Sequence, residues 1–379
     1  MTTLRDLYER MLLIRRFEER VLELFSQGKL SGTTHACIGQ EHVSAGLFAH
    51  LTADDIVFSN HRCHGHYLAH QDDPDGLMAE LMGKATGTCG GVGGSQHLHR
   101  GNFYSNGVQG GIVPAAVGMA LAERLKGETR AIAVVFLGDG TLGQGQAYEA
   151  MNLASLWRLP VLFCIENNGY SQSTPSHLQI AGKIADRPRA FGIEVHEVTS
   201  NHVLESYLTA QEAVGQVRQG RRPVALIYHT FRLCSHSRSD DGRPESVIEP
   251  WRDRDPLRLA ERELEDLTDV RARVEARIEE VVARAEAAPD PEPPGSWELP
   301  DLVRQYPGTA ASGEKVVTAL NRALHRLLQE DPRAVVLGMD ILDPYGGAFK
   351  VEKGLSTAYP DRVLPTPVCE MSLTGLCGG

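Results

Sequence analysis

Residues 131–137 form an apolar run that ends in Gly138-Asp139-Gly140-Thr141. A second short apolar run, residues 161–165, is followed by Glu166-Asn167-Asn168. Both read as strands, and residues 144–157 between them supply one helix. Strands alternating with helices in this way indicate an α/β fold, a doubly wound and mostly parallel sheet. In an open parallel sheet both strand ends face one crevice, where ligands bind.

The residue types at those two ends narrow the ligand. One carboxylate, Asp139, and one neutral amide, Asn168, suit a hard divalent ion that also holds a diphosphate. A competing pattern is present: Gly138-x-Gly140-x-x-Gly143 fits a dinucleotide fingerprint, with Glu166 placed as a ribose-binding acid. Asp139 argues against it, because a carboxylate beside a pyrophosphate is repulsive unless a cation lies between them. The plain alternative is that both ends are polar turns.

At this point the chain resembles a family. The stretch GDGTLGQGQAYEAMNLASLWRLPVLFCIENNGY is similar to the thiamine diphosphate signature of 2-oxo acid dehydrogenase E1 α subunits, which include pyruvate, branched-chain and acetoin dehydrogenases. The resemblance runs from about residue 7 to residue 294. It implies thiamine diphosphate and Mg2+ as cofactors, with the metal held by Asp139, Asn168 and the backbone carbonyl of Tyr170. Gly138, Gly140 and Thr141 belong to the same cofactor-binding stretch.

Bulk properties exclude several other classes. A net charge of -11 argues against nucleic acid as a partner. No run approaches the length of a membrane span, and arginines at 5, 10, 15 and 16 interrupt the N-terminal apolar residues, so neither a membrane partner nor a signal peptide is expected. Seven cysteines without a CxxC pair give no disulfide framework and point to a reducing, cytoplasmic location.

Periodicity predicts helices over residues 4–27, from residue 41, and over 114–126, 256–267 and 270–287, with a further buried strand at 224–228. The Gly-rich stretch 83–94 reads as a loop. We expect an E1 α-like diphosphate-binding domain over residues 1–288 and a Pro-rich, then Gly/Ala, linker over 289–313. Residues 314–379 form an incomplete second α/β domain with a helix at 314–330 and short strands at 334–337 and 363–368. So few residues with two parallel-type strands cannot close a core and leave a sheet edge unpaired.

The stretch ALNRALHRLLQEDPRAVVLGMDILDPYGGAFKVEKGLSTAYPDRVLPTPVCEMSLTG resembles the opening of an E1 β subunit. The resemblance makes Glu370, in Pro367-Val368-Cys369-Glu370, a catalytic and cofactor-binding residue at the aminopyrimidine. There a carboxylic acid favours the imino tautomer that removes the thiazolium C2 proton. It also implies three partners: a second chain supplying the rest of the β-like domain in an α2β2-type hetero-oligomer, a lipoyl carrier domain, and an acyl carrier protein in the hybrid systems described below.

By the same resemblance His61 and Arg62 bind the cofactor, Arg62 at the diphosphate, and the backbone groups of Gly107 and Gln109 bond the aminopyrimidine. Arg232 and His236 belong to an active-site loop that touches the cofactor. His35, His64 and His236 are expected to be catalytic, moving protons near neutral pH. His61 stands where the family usually has tyrosine, and with His64 and His66 it makes a dense imidazole cluster that suits a hydroxylated donor. Both a 2-oxo acid donor and a transketolase-like ketose-phosphate donor remain open. The split of the β-type domain also resembles the hybrid pyruvate dehydrogenase/transketolase systems of tetrahydroisoquinoline antibiotic pathways, which pass a glycolyl unit to a lipoyl domain. The rival readings are a non-catalytic E1-like scaffold and an NAD-dependent dehydrogenase.

Overall fold

The computed structural model describes residues 2–127, 129–237, 241–292 and 313–379. The chain divides into two compact units, one of Met1–Pro291 with Gly378–Gly379 and one of Glu292–Cys377. Most of the expected linker, residues 293–312, lies outside the described residues.

In the first unit the elements run α1 (Leu4–Ser26), α2 (Glu41–Phe48), β1 (Ile56–Ser59), α3 (His64–Gln71), α4 (Pro74–Leu81), β2 (His99–Arg100), β3 (Phe103–Ser105), α5 (Ile112–Lys126), β4 (Ala133–Gly138), α6 (Gly145–Leu156), β5 (Val161–Asn167), β6 (Tyr170–Ser171), β7 (Thr174–Pro175), α7 (Asp186–Arg189), β8 (Glu194–Val198), α8 (Val203–Gly220), β9 (Val224–His229), α9 (Glu245–Arg252), α10 (Pro256–Glu261) and α11 (Thr268–Ala287). The main sheet has seven strands in the order β2-β3-β1-β4-β5-β9-β8. All neighbours are parallel except β2 and β3.

β4 and β5 read as uninterrupted apolar runs because they are covered on both faces. Val134, Phe136, Leu162 and Cys164 join one core cluster together with residues of α1, α2, α8 and α11. The intervening Val135, Leu137, Phe163 and Ile165 are equally buried and point to the opposite face by strand alternation. α1 starts at a capping box in which Thr3 and Asp6 bond each other's backbone N–H groups. Its stripe of Leu7, Met11, Ile14, Phe17, Val21 and Leu24 is buried.

Register brings Leu137 opposite Ile165 and Gly138 opposite Glu166, so the two strand ends predicted to share a crevice are level. From β1 the chain turns outward to β3, then returns across β1 to β4. The direction of winding thus reverses between β1 and β4, and that reversal opens a crevice at the strand carboxyl ends.

One sequence-based boundary changes. The helix expected over 256–267 stops at Glu261, and α11 starts at Thr268. The Gly-rich stretch 83–94 is a loop, but one held by a single side chain. The buried Glu80 carboxylate accepts four backbone N–H groups: Cys89 at 2.6 Å, Gly91 at 2.9 Å, Gly93 at 2.7 Å and Gly94 at 3.0 Å. A side chain at Gly93 would place its Cβ 2.2 Å from the His97 carbonyl oxygen, so the loop needs glycine there to close.

The second unit contains α12 (Val316–Glu330), β10 (Val336–Met339), α13 (Leu355–Ala358), β11 (Val363–Thr366) and α14 (Glu370–Gly378). β10 and β11 pair in parallel as a two-stranded sheet. Its core consists of Leu328, Ile341, Leu355 and Val363, with a few half-buried residues against them. Val316, Leu320, Leu327 and Phe349 are exposed.

Candidate active site

A cavity of about 440 Å³ occupies the crevice in the first unit, within the usual range for small-ligand sites. The carboxyl ends of four parallel strands contribute to its wall: Asn60, His61 and Arg62 after β1, Gly107 and Gln109 after β3, Gly138 to Thr141 at the end of β4, and Asn168 after β5 with Tyr170 opening β6. His35 and His236 come from loops outside the sheet.

Asp139 is the first residue of a 3-10 turn that follows β4 and is almost wholly buried. Its Oδ1 accepts the Gly140 N–H at 3.1 Å and its Oδ2 accepts the Ser176 hydroxyl. Burial pushes the Asp139 carboxyl above its ordinary range, against those hydrogen bonds and the charge of Arg232. A buried carboxylate in that state is stabilised by a cation. Asn168 Oδ1 accepts the Tyr170 N–H at 3.1 Å, which aims this amide oxygen at the turn after β5. A Cβ at Gly140 would come within 1.9 Å of Ser171 Oγ, so the turn after β4 and the β6–β7 hairpin meet only because position 140 is glycine.

Arg62 is buried, with its N–H capped by Asn60 Oδ1 at 2.8 Å and its Nη1 donating to the Ala36 carbonyl at 2.5 Å. Its Nη2 lies 3.3 Å from His236 Nδ1. His35, His61 and His236 form a cluster with ring centroids 4.6, 4.8 and 5.3 Å apart. Burial, then the charge of Arg62, holds His61 well below the usual imidazole range. Among the described residues, His61 Nε2, Gln40 Oε1 and Ser171 Oγ on the wall are buried without a protein partner. Unpaired buried polar atoms cost free energy, and a polar ligand would satisfy them.

The structure thus brings together His35, His61, Arg62, Gly107, Gln109, Gly138, Asp139, Gly140, Thr141, Asn168, Tyr170 and His236 on one wall. It does not bring His64 there. His64 is fully buried, its Nδ1 paired to Glu18 at 3.0 Å and its Nε2 to Ser95 at 2.9 Å. The expected cluster of His61, His64 and His66 is corrected accordingly. α3 begins at His64, and residues two apart on a helix do not share a face. His66 stacks on Phe136 at 3.7 Å and bonds Ser59 Oγ at 2.8 Å. Arg232 also stands off the wall, donating to the Gln172 carbonyl at 2.8 Å. Burial and the charges of Arg62 and Arg243 lower its guanidinium to about 10. Glu370 is the first residue of α14 in the second unit and is exposed.

Sequence reasoning missed Gln40, Gln96, Gln144 and Gln179, all on the wall. No local pattern marks a lone glutamine, and only the fold assembles them. Glu166 was read only as a ribose-binding acid. It accepts Asn60 Nδ2 at 3.0 Å and lies 3.5 Å from His66. Burial raises its carboxyl, but His66, the Asn60 hydrogen bond and Arg62 outweigh this and hold it below its ordinary range. Its oxygens are committed to the wall rather than to a ribose.

The family pattern described as dehydrogenase E1 component matches residues 9–294. The α subunit of acetoin:2,6-dichlorophenolindophenol oxidoreductase from Bacillus subtilis is 39% identical over 298 residues, covering 75% of this chain and 89% of that protein. The pyruvate dehydrogenase E1 component subunit alpha of Zymomonas mobilis is 39% identical over 301 residues, covering 76% and 85% respectively. Among solved structures, a transketolase from Leishmania mexicana superposes with a TM-score of 0.61 at 18% identity, over 99% of this chain. The chain spans 62% of that transketolase's length, and the likeness concerns the fold.

Proposed function

Because this chain belongs to the dehydrogenase E1 component family, we propose that it is a thiamine diphosphate- and Mg2+-dependent E1-type subunit. It cleaves a C–C bond beside a donor carbonyl and passes the acyl or two-carbon unit to a lipoyl carrier. One observation carries this reading: oxygen donors from two adjacent strand ends, Asp139 and Asn168, share a cavity with a buried arginine, Arg62.

The residues present fit the cofactor. Asp139 and Asn168 are hard oxygen donors of the kind Mg2+ takes together with substrate phosphates, and the Tyr170 carbonyl would complete the protein's share. Arg62 would bind the diphosphate as a fixed, always-charged donor. Backbone groups at Gly107 and Gln109 would hold the pyrimidine. When bound, thiamine diphosphate supplies the carbanion chemistry. The chain's own work is to orient the cofactor and to move protons. Asp139 would offset part of the metal's charge, and His35, His61 and His236 would offer a donor's oxygen a proton or a hydrogen bond.

The three-imidazole cluster favours a hydroxylated, ketose-phosphate-like donor over plain pyruvate as a second reading, because such a donor offers more oxygens to bind. The second unit is proposed to be the first part of an E1 β-like domain. Further strands would complete its sheet, and assembly with another subunit would bring Glu370 to a cofactor held at Asp139 of a neighbouring chain. Acyl transfer onward to a carrier protein, as in the hybrid antibiotic systems, belongs to the same proposal. Among the described residues no helix is long and apolar enough to cross a membrane.

Calorimetric titration of thiamine diphosphate into the full chain tests the core of this reading. Binding should require Mg2+ and vanish with a chelator. Metal-independent binding of equal strength would sink the site assignment.

A further inference from the structure

His35, His61 and His236 each bring a ring nitrogen within 4.8 Å of the others, which invites a reading as a transition-metal site. The surrounding hydrogen-bond chemistry selects a different ligand. The Gly107 carbonyl can only accept, so the Gln109 side-chain atom 3.3 Å from it is the amide nitrogen. That same nitrogen lies 2.6 Å from His61 Nδ1. An amide nitrogen only donates, so Nδ1 accepts and the neutral ring carries its proton on Nε2. Thr141 holds the other end of the amide, its hydroxyl donating to Gln109 Oε1 at 3.1 Å. The same logic applies at His236. Arg62 Nη2 has no lone pair to offer and lies 3.3 Å from His236 Nδ1, so that ring too is protonated on Nε2.

We propose that Gln109 and Arg62 are positioning residues that fix His61 and His236 as Nε2–H tautomers, so that the cluster offers N–H donors to an oxygen of the donor substrate. The oxygen is the donor's carbonyl oxygen, which gains negative charge when that carbonyl is attacked ahead of C–C cleavage, and preorganised donors stabilise such charge. His61 Nε2, buried and without a protein partner, is the donor left free for it. A divalent ion would meet protonated nitrogens there, beside the fixed positive charge of Arg62. Burial keeps His61 neutral at pH 7, which preserves the single-tautomer state. The identity of the ligand rests on the thiamine enzyme reading; the tautomers do not.

The test uses the full chain labelled with 15N-histidine and long-range proton–nitrogen correlation spectra, with signals assigned through His61→Gln and His236→Gln. Both rings should show the Nε2–H pattern at pH 7. Gln109→Glu presents an acceptor to Nδ1 and should switch His61 to the Nδ1–H pattern, whereas Gln109→Leu should leave a mixture. Zinc added to the wild-type chain should not shift these signals stoichiometrically. In the partner-reconstituted enzyme Gln109→Leu should lower kcat/KM about tenfold, short of the about 10²–10³-fold lost when an oxyanion donor is deleted outright. A wild-type His61 in the Nδ1–H form, or stoichiometric zinc uptake that His61→Gln abolishes, overturns the proposal. Altered tautomers with unchanged kcat/KM would overturn its substrate half. Failure to bind thiamine diphosphate would count against the proposed function alone, because the spectra are recorded without it.

Discussion

Replacing Glu80 with glutamine should loosen the wall of the active site from a distance. The Glu80 carboxylate accepts two N–H groups on each oxygen, from Cys89 and Gly91 on one and from Gly93 and Gly94 on the other. Gln96, two residues beyond the last of these, lines the cavity. In Glu80→Gln one oxygen becomes an NH2 group that faces two donors. Hydrogen bonds to a charged acceptor contribute about 1.5–3 kcal/mol each, so losing two removes about 3–6 kcal/mol. The loop is only half-buried, and the released N–H groups can find water, which places the expected cost near the lower end. Local opening should then be roughly a hundredfold easier, at about 1.4 kcal/mol per factor of ten. Hydrogen exchange of the amides at 89, 91, 93 and 94 reads this directly. Glu80→Asp keeps the charge but shortens the reach and should lose less protection. Wild-type protection of all four amides in Glu80→Gln would refute the reasoning.

Other outcomes follow from the same structure. Asp139→Ala should abolish Mg2+-dependent thiamine diphosphate binding with the fold retained, as calorimetry and circular dichroism would report. Unchanged affinity would remove Asp139 from the metal site. His42 is fully buried between Ser206 and Thr230, and burial lowers its imidazole to about 3. The unfolded ring binds a proton below about 6.5 and the folded ring does not, so stability is fully present above 6.5 and is lost as pH falls toward 3. Between pH 7 and pH 5 the loss is about 2 kcal/mol. Urea denaturation at the two pH values measures it, and His42→Gln should flatten the dependence. His61→Tyr should move the kcat/KM ratio from a ketose phosphate toward pyruvate in the reconstituted enzyme, and a wild-type enzyme that uses only simple 2-oxo acids would refute the second donor reading. Adding the partner chain should protect the amides of Val336–Met339 from exchange and speed C2 proton exchange of bound cofactor, with Glu370→Gln losing the latter.

What the sequence made legible follows from how local each signal is. β4 and β5 were visible because strands buried on both faces leave unbroken apolar runs. Asp139 and Asn168 were visible because they stand directly after those runs. β1 escaped notice because four residues are too few to show a period, and β8 because at the sheet edge only its last residue, Val198, is buried. The histidines show the limit most clearly. His61, His64 and His66 look like one cluster when read along the chain, yet the start of α3 sends them to three different environments. The true neighbours of His61 are His35 and His236, which come from distant loops and only the tertiary fold unites. Glu80 carried no signal at all, because its partners are backbone N–H groups of glycines and a cysteine.

The two-stranded sheet of the second unit also bears on how this polypeptide can be handled in a cell. A parallel pair has two open rows of backbone donors and acceptors, and among the described residues the core cluster behind it has four buried members. Phe349 is 90% exposed and Val316 75%. Wherever those rows stay uncovered, the sheet is a template for edge-to-edge association and a substrate for proteases. Recombinant yield should therefore depend on whether the two sheet edges are covered more than on promoter strength.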